Sequence, residues 1–292
     1  MKSKFVIPIF SALRLAIAPS HVFFIPSPAK NPNLSYSEIK TWYECAYKHK
    51  LVYIDNVKKF EGNEHTAFGS AVHEVCEKAV LNEINSDKDS LKSCFSSAFL
   101  KELTDLNNKK VKLDKKLVSQ MRTQVDGLLE HVIPELQKTF KNYEVISAEE
   151  KLFEDLESSD KKYKGYIDLV IKTDDGQYHV IDWKTCSWGW DARRKSDKIV
   201  TYQLSLYKYF FSKKHNVDLK NISTHFALLK RTAKSNRVEI FEVRNGDKKI
   251  QNSLKLLDKA VYNIKNDNFI KNKLSCTSGF GCEFYNTKHC SR

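Results

Sequence analysis

The sequence predicts an α/β protein: a core of short strands flanked by helices and interrupted by a helical insertion. Three observations lead there. Period-two alternation is confined to short runs after residue 143. Amphipathic helical patterns lie on both sides of those runs. Residues 87 to 142 carry helical patterns throughout, with little strand character.

The elements follow in order. "LSYSEIKTWYECAYKHKL" reads as an opening helix from about Tyr36 to His49, with Ser35 and Glu38 at the spacing of a capping box. "HTAFGSAVHEVCEKAVLNEI" is a second helix, capped near Thr66, with Ala71, Val72, Val75 and Ala79 as its apolar stripe. His73 lies beside that stripe. The insertion, about 87–142, contains "DSLKSCFSSAFLKELTDL" and "DKKLVSQMRTQVDGLLEHVIPELQKTF", the second kinked or divided by Pro134. "YEVISAEEKLFE" is a strand, a hairpin follows, and "DKIVTYQLSLYKYFFSKKH" is a helix. "STHFALLKRT" and "RVEIFEVR" are strands, and "DKKIQNSLKLLDKAVYNIKND" is the last helix. Residues 1–33 form an N-terminal extension, 34–292 one domain, and about 272–292 a cysteine-containing tail.

A chain of 292 residues with 41% hydrophobic and 29% charged residues suits a globular protein with a sizeable core. Its net charge of +13 fits either a basic solvated surface or a polyanionic partner such as nucleic acid. Seven scattered cysteines, an odd number, argue against a secreted disulfide framework and for a reducing, intracellular compartment. Residues 1–37 hold no acidic residue and include "FVIPIFSALRLAIA". That run is too short to span a membrane, and no membrane partner is expected. A signal or organellar transit peptide is one reading of it; an extension packed on the domain is the favoured one.

The hairpin "GYIDLVIKTDDGQYHVIDWKT" puts Asp168 on one strand and Asp182 and Lys184 on the next. A two-residue Asp175-Gly176 loop sets Asp168 opposite Trp183 and sends the two acids to opposite faces. A three-residue loop, Asp174-Asp175-Gly176 with Gly left-handed, sets Asp168 opposite Asp182. Asp168, Asp182 and Lys184 then share a face. Opposed carboxylates repel, which makes sense with a divalent cation between them. A chance cluster at a strand edge is the plainer alternative.

These residues resemble the core motif of the PD-(D/E)XK nuclease superfamily, especially its RecB-like exonuclease branch: an Asp on one strand, then an acidic-x-Lys triplet on the next. "FGSAVHEVCE" is similar to the upstream helix motif of that branch, and "YQLSLYKYF" to its Gln-x-x-x-Tyr motif. The resemblance implies a restriction-endonuclease-like mixed central sheet. It implies His73, Asp168 and Asp182 as ligands of Mg²⁺ or Mn²⁺, and Asp168, Asp182, Lys184, Gln203 and Tyr207 as catalytic residues. Glu149 and Glu150, one strand earlier, could add an acid through water. Cys45 with Cys276, Cys282 and Cys290 resembles the arrangement that holds an iron–sulfur cluster in some relatives, although its spacing is looser and zinc suits four thiolates as well. The implied activity is metal-dependent hydrolysis of DNA, as an exonuclease on single strands or ends in replication, recombination or repair. Trp188 and Trp190 could stack bases, and Arg193 and Arg194 could bind phosphates. The alternative is a non-catalytic nucleic-acid-binding or assembly protein that retains the fold.

Overall fold

The computed structural model describes residues 32–57, 60–278 and 281–291. Residues 1–31 of the expected extension, and Gly279, Phe280 and Arg292 of the tail, lie outside them. Strand β1 is Asn33–Ser35, three residues that alternation could not announce. Helix α1 (Tyr36–Glu44) starts on Ser35, whose side chain accepts from the Glu38 N–H. The expected single helix to His49 is broken: Cys45 takes an extended conformation, φ −162° and ψ 112°, before α2 (Ala46–His49) and a π-helical turn (Lys50–Ile54). Helix α3 (Glu64–Val80) is capped by Asn63, with Thr66 as the reciprocal partner of the box rather than the cap itself.

Residues 87–142 carry four helices joined by turns and coil, and no strand: α4 (Lys88–Asn108), α5 (Lys115–Gln124), α6 (Asp126–Leu129) and α7 (Val132–Phe140). Pro134 falls in the first turn of α7, where its missing N–H costs no hydrogen bond, so the division precedes it. Then come β2 (Tyr143–Asp155), β3 (Lys162–Thr173), β4 (Tyr178–Cys186), α8 (Ala192–Ser196), α9 (Lys198–His215), β5 (Ile222–Lys230), β6 (Val238–Glu242) and α10 (Asp247–Lys265).

The six strands make one mixed sheet in the order β1-β3-β4-β5-β6, with β2 beside β3. The three-residue loop is the one formed. Thr173 pairs with Gln177 around Asp174–Gly176, and Gly176 sits at φ +83°, where an L side chain would be strained. The β3–β4 ladder accordingly runs from Lys172↔Tyr178 to Leu169↔Ile181. Strand β5 lies parallel to β4, Tyr178↔Ile222 to Cys186↔Lys230, and the crossover between them carries α9.

Both faces of the sheet are covered. On one, Phe68, Val72 and Val75 of α3 and the insertion's Phe95, Phe99, Met121 and Leu128 pack against Leu169, Ile171, Ile181 and Trp183. On the other, Leu204, Phe210 and Phe211 of α9 and Leu257 and Val261 of α10 pack against Tyr163, Val170, Val180 and Phe226. Strand β5, buried on both sides, is therefore a continuous apolar run, "FALL", rather than an alternating one. No helix among the described residues is long and apolar enough to cross a membrane.

Candidate active site

The site lies at a fork in the sheet. Strand β2 follows β3 along one edge for its whole length, Tyr143↔Thr173 to Asp155↔Lys162. The other edge of β3 has two partners: β1 takes Lys162 to Lys164 and β4 takes Leu169 to Lys172. Gly165 to Asp168 have neither. In that gap the Asp168 carboxylate substitutes for the ladder, with Oδ2 accepting the Trp183 N–H at 2.6 Å. Register and turn bring Asp168 level with Asp182, and the divergence of the strands opens the space beside them.

From α3, His73 enters the gap, its Nδ1 3.7 Å from Asp168 Oδ1. From β2 comes Glu149. This residue has φ +50°, a left-handed conformation costly for a side-chain-bearing residue inside a strand, and a bulge lies just before it between Val145 and Ser147. His73, Glu149 and Asp168 each present a ligand atom, all within 4.8 Å of one another. Asp182 lies outside that trio. Its Oδ2 is 2.5 Å from the Lys184 ammonium, an ion pair that is not aligned as a hydrogen bond, so this buried oxygen has no aligned donor. Glu150 faces elsewhere, its Oε1 receiving Lys214 at 2.5 Å and His215 at 2.9 Å.

The electrostatics follow from crowding. Burial, and then the charge of Asp182, hold the Asp168 carboxyl well above the usual carboxylate range. Burial likewise raises Asp182, against the pull of Lys184. Glu149 is raised by burial, then by Glu77 and Asp182. Burial and nearby Lys184 push the His73 imidazole down to about 4, which keeps it neutral. Crowded acids and a neutral imidazole are the donors a hard-to-borderline divalent cation takes, and the trio fits one.

A cavity of about 660 Å³ opens beside the fork. Lys184, Gln203 and Tyr207 line it with Lys40, Lys164 and Arg194. The i, i+4 spacing puts Gln203 and Tyr207 on one face of α9, where Gln203 Nε2 donates to the Tyr207 hydroxyl at 2.9 Å. Gly165 lets that tyrosine approach β3: a Cβ there would meet Tyr207 Cε1 at 2.9 Å. Burial, then Asp182, keep the Tyr207 phenol protonated by raising its pKa.

The four cysteines singled out in the sequence converge. Cys45, Cys276, Cys282 and Cys290 line one cavity of about 230 Å³. The break at Cys45 is part of this: its Sγ accepts the Asn272 N–H at 3.4 Å, tying the kinked opening helix to the tail. Burial, then the neighbouring Cys282, Cys290 and Cys45, raise the Cys276 thiol. Of the remaining cysteines, Cys76 lies on the buried face of α3 in the core, as suits a small apolar side chain.

Of the residues sequence reasoning ranked lower, Glu149 is the one the structure promotes. Its only advance signal is the pair of adjacent acids in a strand whose alternation should have shown one of them to solvent.

The family model of the PD-(D/E)XK nuclease superfamily matches residues 33–286. No curated protein matches the chain. Among solved structures, a "Putative exonuclease" from Eubacterium rectale superposes with TM-score 0.54 at 14% identity, over 89% of this chain and 91% of that one. The structure of SSO0001 matches with TM-score 0.30 at 15% identity, over 77% and 85%, too weak a likeness to argue from. The first likeness supports the fold, and the motif order together with the family match carries the assignment: this chain belongs to the PD-(D/E)XK nuclease superfamily.

Proposed function

We propose that the chain is a Mg²⁺- or Mn²⁺-dependent deoxyribonuclease, acting as an exonuclease on single strands or DNA ends. The observation that carries this is the fork: His73, Glu149 and Asp168 gathered within 4.8 Å, beside a Lys184 that borders an open cationic cavity. His73, Glu149 and Asp168 would hold a divalent cation, which would supply the positive charge that polarises a phosphodiester and acidifies a water. Asp182 fixes Lys184 through their ion pair, and Lys184 orients the attacking water or meets the charge that develops on the phosphate oxygens. Gln203 and Tyr207 offer donors to phosphate oxygens from the cavity wall. Lys40, Lys164 and Arg194 hold the flanking backbone.

The four thiols form the second part of the proposal. They line one cavity and suit an iron–sulfur cluster, with zinc as the alternative.

The test is cleavage of end-labelled single- and double-stranded DNA with Mg²⁺ or Mn²⁺. Asp182→Asn and Lys184→Ala should each lower turnover by at least about 100-fold, the size expected for loss of an electrostatic catalytic group. DNA binding should stay within a few-fold of wild type. Undiminished turnover in excess chelator would remove the mechanism. Binding without cleavage under every metal would favour the non-catalytic alternative.

A further inference from the structure

Trp188 is the most exposed of the four tryptophans, at 75% of its surface, while Trp183 is 1% and Trp190 9% exposed. A single exposed aromatic is ordinary, but this one is held out by a braced loop. On the residues before it, the Cys186 carbonyl accepts from Arg231 N–H at 2.9 Å. The Ser187 carbonyl accepts from Thr232 N–H at 2.9 Å and from its hydroxyl at 2.6 Å. Arg231 also reaches Ser187 Oγ at 3.2 Å and Gln124 of α5 at 2.5 Å, so the brace joins the loop to the insertion. Two residues after it, Trp190 is wedged edge-on to Phe226 at 5.1 Å beneath the Arg194 guanidinium at 4.6 Å. Trp188 is thus fixed in the open by contacts on both flanks.

Its surroundings are cationic. Arg193 and Arg194 on α8 are exposed and pair with no carboxylate among the described residues. Lys195 beside them is neutralised by Glu239. Trp190 Nε1 is buried without an acceptor on the wall of the Lys184 cavity. Trp188 lies four positions after Lys184, at most about 14 Å of extended chain, a span of a few nucleotides.

We infer that Trp188 is a stacking platform for an unpaired nucleobase of the strand whose phosphate lies at Lys184, flanked by Arg193 and Arg194 on its backbone. A base inside a duplex has both faces covered by its neighbours, whereas an unpaired base offers a face to the indole. Cations flanking an open ring suit a polyanion with aromatic faces. The platform therefore selects single strands or frayed ends. This rests on the nuclease reading of the Lys184 site but is tested apart from it.

The test is equilibrium binding in excess chelator, where no cleavage contributes. Fluorescein-labelled oligothymidylate and a blunt hairpin duplex of equal length are compared on wild type, Trp188→Ala and Trp188→Phe. Stacking energies measured by alanine substitution correspond to about 5- to 150-fold in affinity. Trp188→Ala should lose single-strand affinity within that range, with duplex affinity changed less than about twofold. Trp188→Phe should recover most of the loss. An abasic nucleotide stepped along the strand should reproduce the loss at one position on wild type and cost nothing more there on Trp188→Ala. Equal affinities of wild type and Trp188→Ala overturn the platform, as does an equal loss on both substrates. Either result in a protein that still hydrolyses DNA leaves the nuclease reading standing. A protein that shows the Trp188-dependent preference yet cleaves nothing with Mg²⁺ or Mn²⁺ sinks that reading and keeps the platform.

Discussion

Replacing Asp168 by Asn should stabilise the metal-free protein and abolish its response to metal. The carboxyl is buried and repelled by Asp182, and both effects raise its pKa well above the usual range. A folded-state pKa raised for an acid means that the ionised form is disfavoured by folding, so at neutral pH the charge detracts from stability. Asn keeps the shape and retains an oxygen for the Trp183 N–H, now donated to at 2.6 Å. Relief of a buried, uncompensated charge is worth on the order of 1–3 kcal/mol. At roughly 2–4 °C per kcal/mol for a chain of this class, the melting temperature in chelator should rise by several degrees. Metal does the reverse. At a concentration of about 100 times Kd, a cation bound only by the folded state adds about 2.7 kcal/mol, so wild type should gain roughly 5–10 °C from Mn²⁺ and Asp168→Asn almost nothing. The assay is differential scanning fluorimetry with and without chelator. The reasoning fails if Asp168→Asn melts lower than wild type in chelator, or if it gains the same increment from Mn²⁺.

Two further outcomes follow. Cys282→Ala should bleach a brown anaerobic preparation and lower the melting temperature, because a centre joining Cys45 to the tail contributes folding energy, while absorbance that survives the substitution would remove Cys282 from the centre. The buried His225, 3.1 Å from His179 and pushed down to about 3 by burial and by that neighbour, refuses a proton that the unfolded chain accepts near pH 6.5. Stability should therefore be unaffected by this group above about pH 6.5 and fall below it by on the order of 1 kcal/mol per pH unit. His225→Gln should show a shallower decline in melting temperature over that window, and an unchanged slope would refute the assignment.

The elements legible in the sequence were those fixed by local rules. The turn residues Asp174-Asp175-Gly176 were legible, but a left-handed Gly176 suits a two- or a three-residue loop, and it is the three-residue loop that sets the register of Asp168 against Asp182. The order of helices and strands followed from apolar periods long enough to count, while Gln203 and Tyr207 were implied by the resemblance of their helix to a family motif, their spacing only placing them on one face. Where the outcome depends on distant partners, the sequence was silent. Three residues make β1 only because the departing edge of β3 offers them a parallel partner at Lys162–Lys164. No Gly or Pro near Cys45 announces a break in the helix. The kink goes with Asn272 and the tail cysteines, more than 220 positions away.

The site itself was half legible for the same reason. Side-chain alternation predicts that of two adjacent acids on a strand one points inward, and Ala148 and Glu150 do pair with Leu169 and Ile167 of β3. Glu149 escapes the rule by leaving β conformation altogether, and a positive φ at a glutamate leaves no mark in composition. Such strain persists only where its surroundings impose it. Here those surroundings are the bulge before it and the fork beside it, where β3 has lost one ladder. The unpaired stretch from Gly165 to Asp168, the bent β2 and the divergence of β1 from β4 are then parts of one arrangement. The β2–β3 register sets Glu149 opposite Asp168, between the pairs Ala148↔Leu169 and Glu150↔Ile167, so the two acids share a face, and the opening of the sheet beside them admits the α3 histidine.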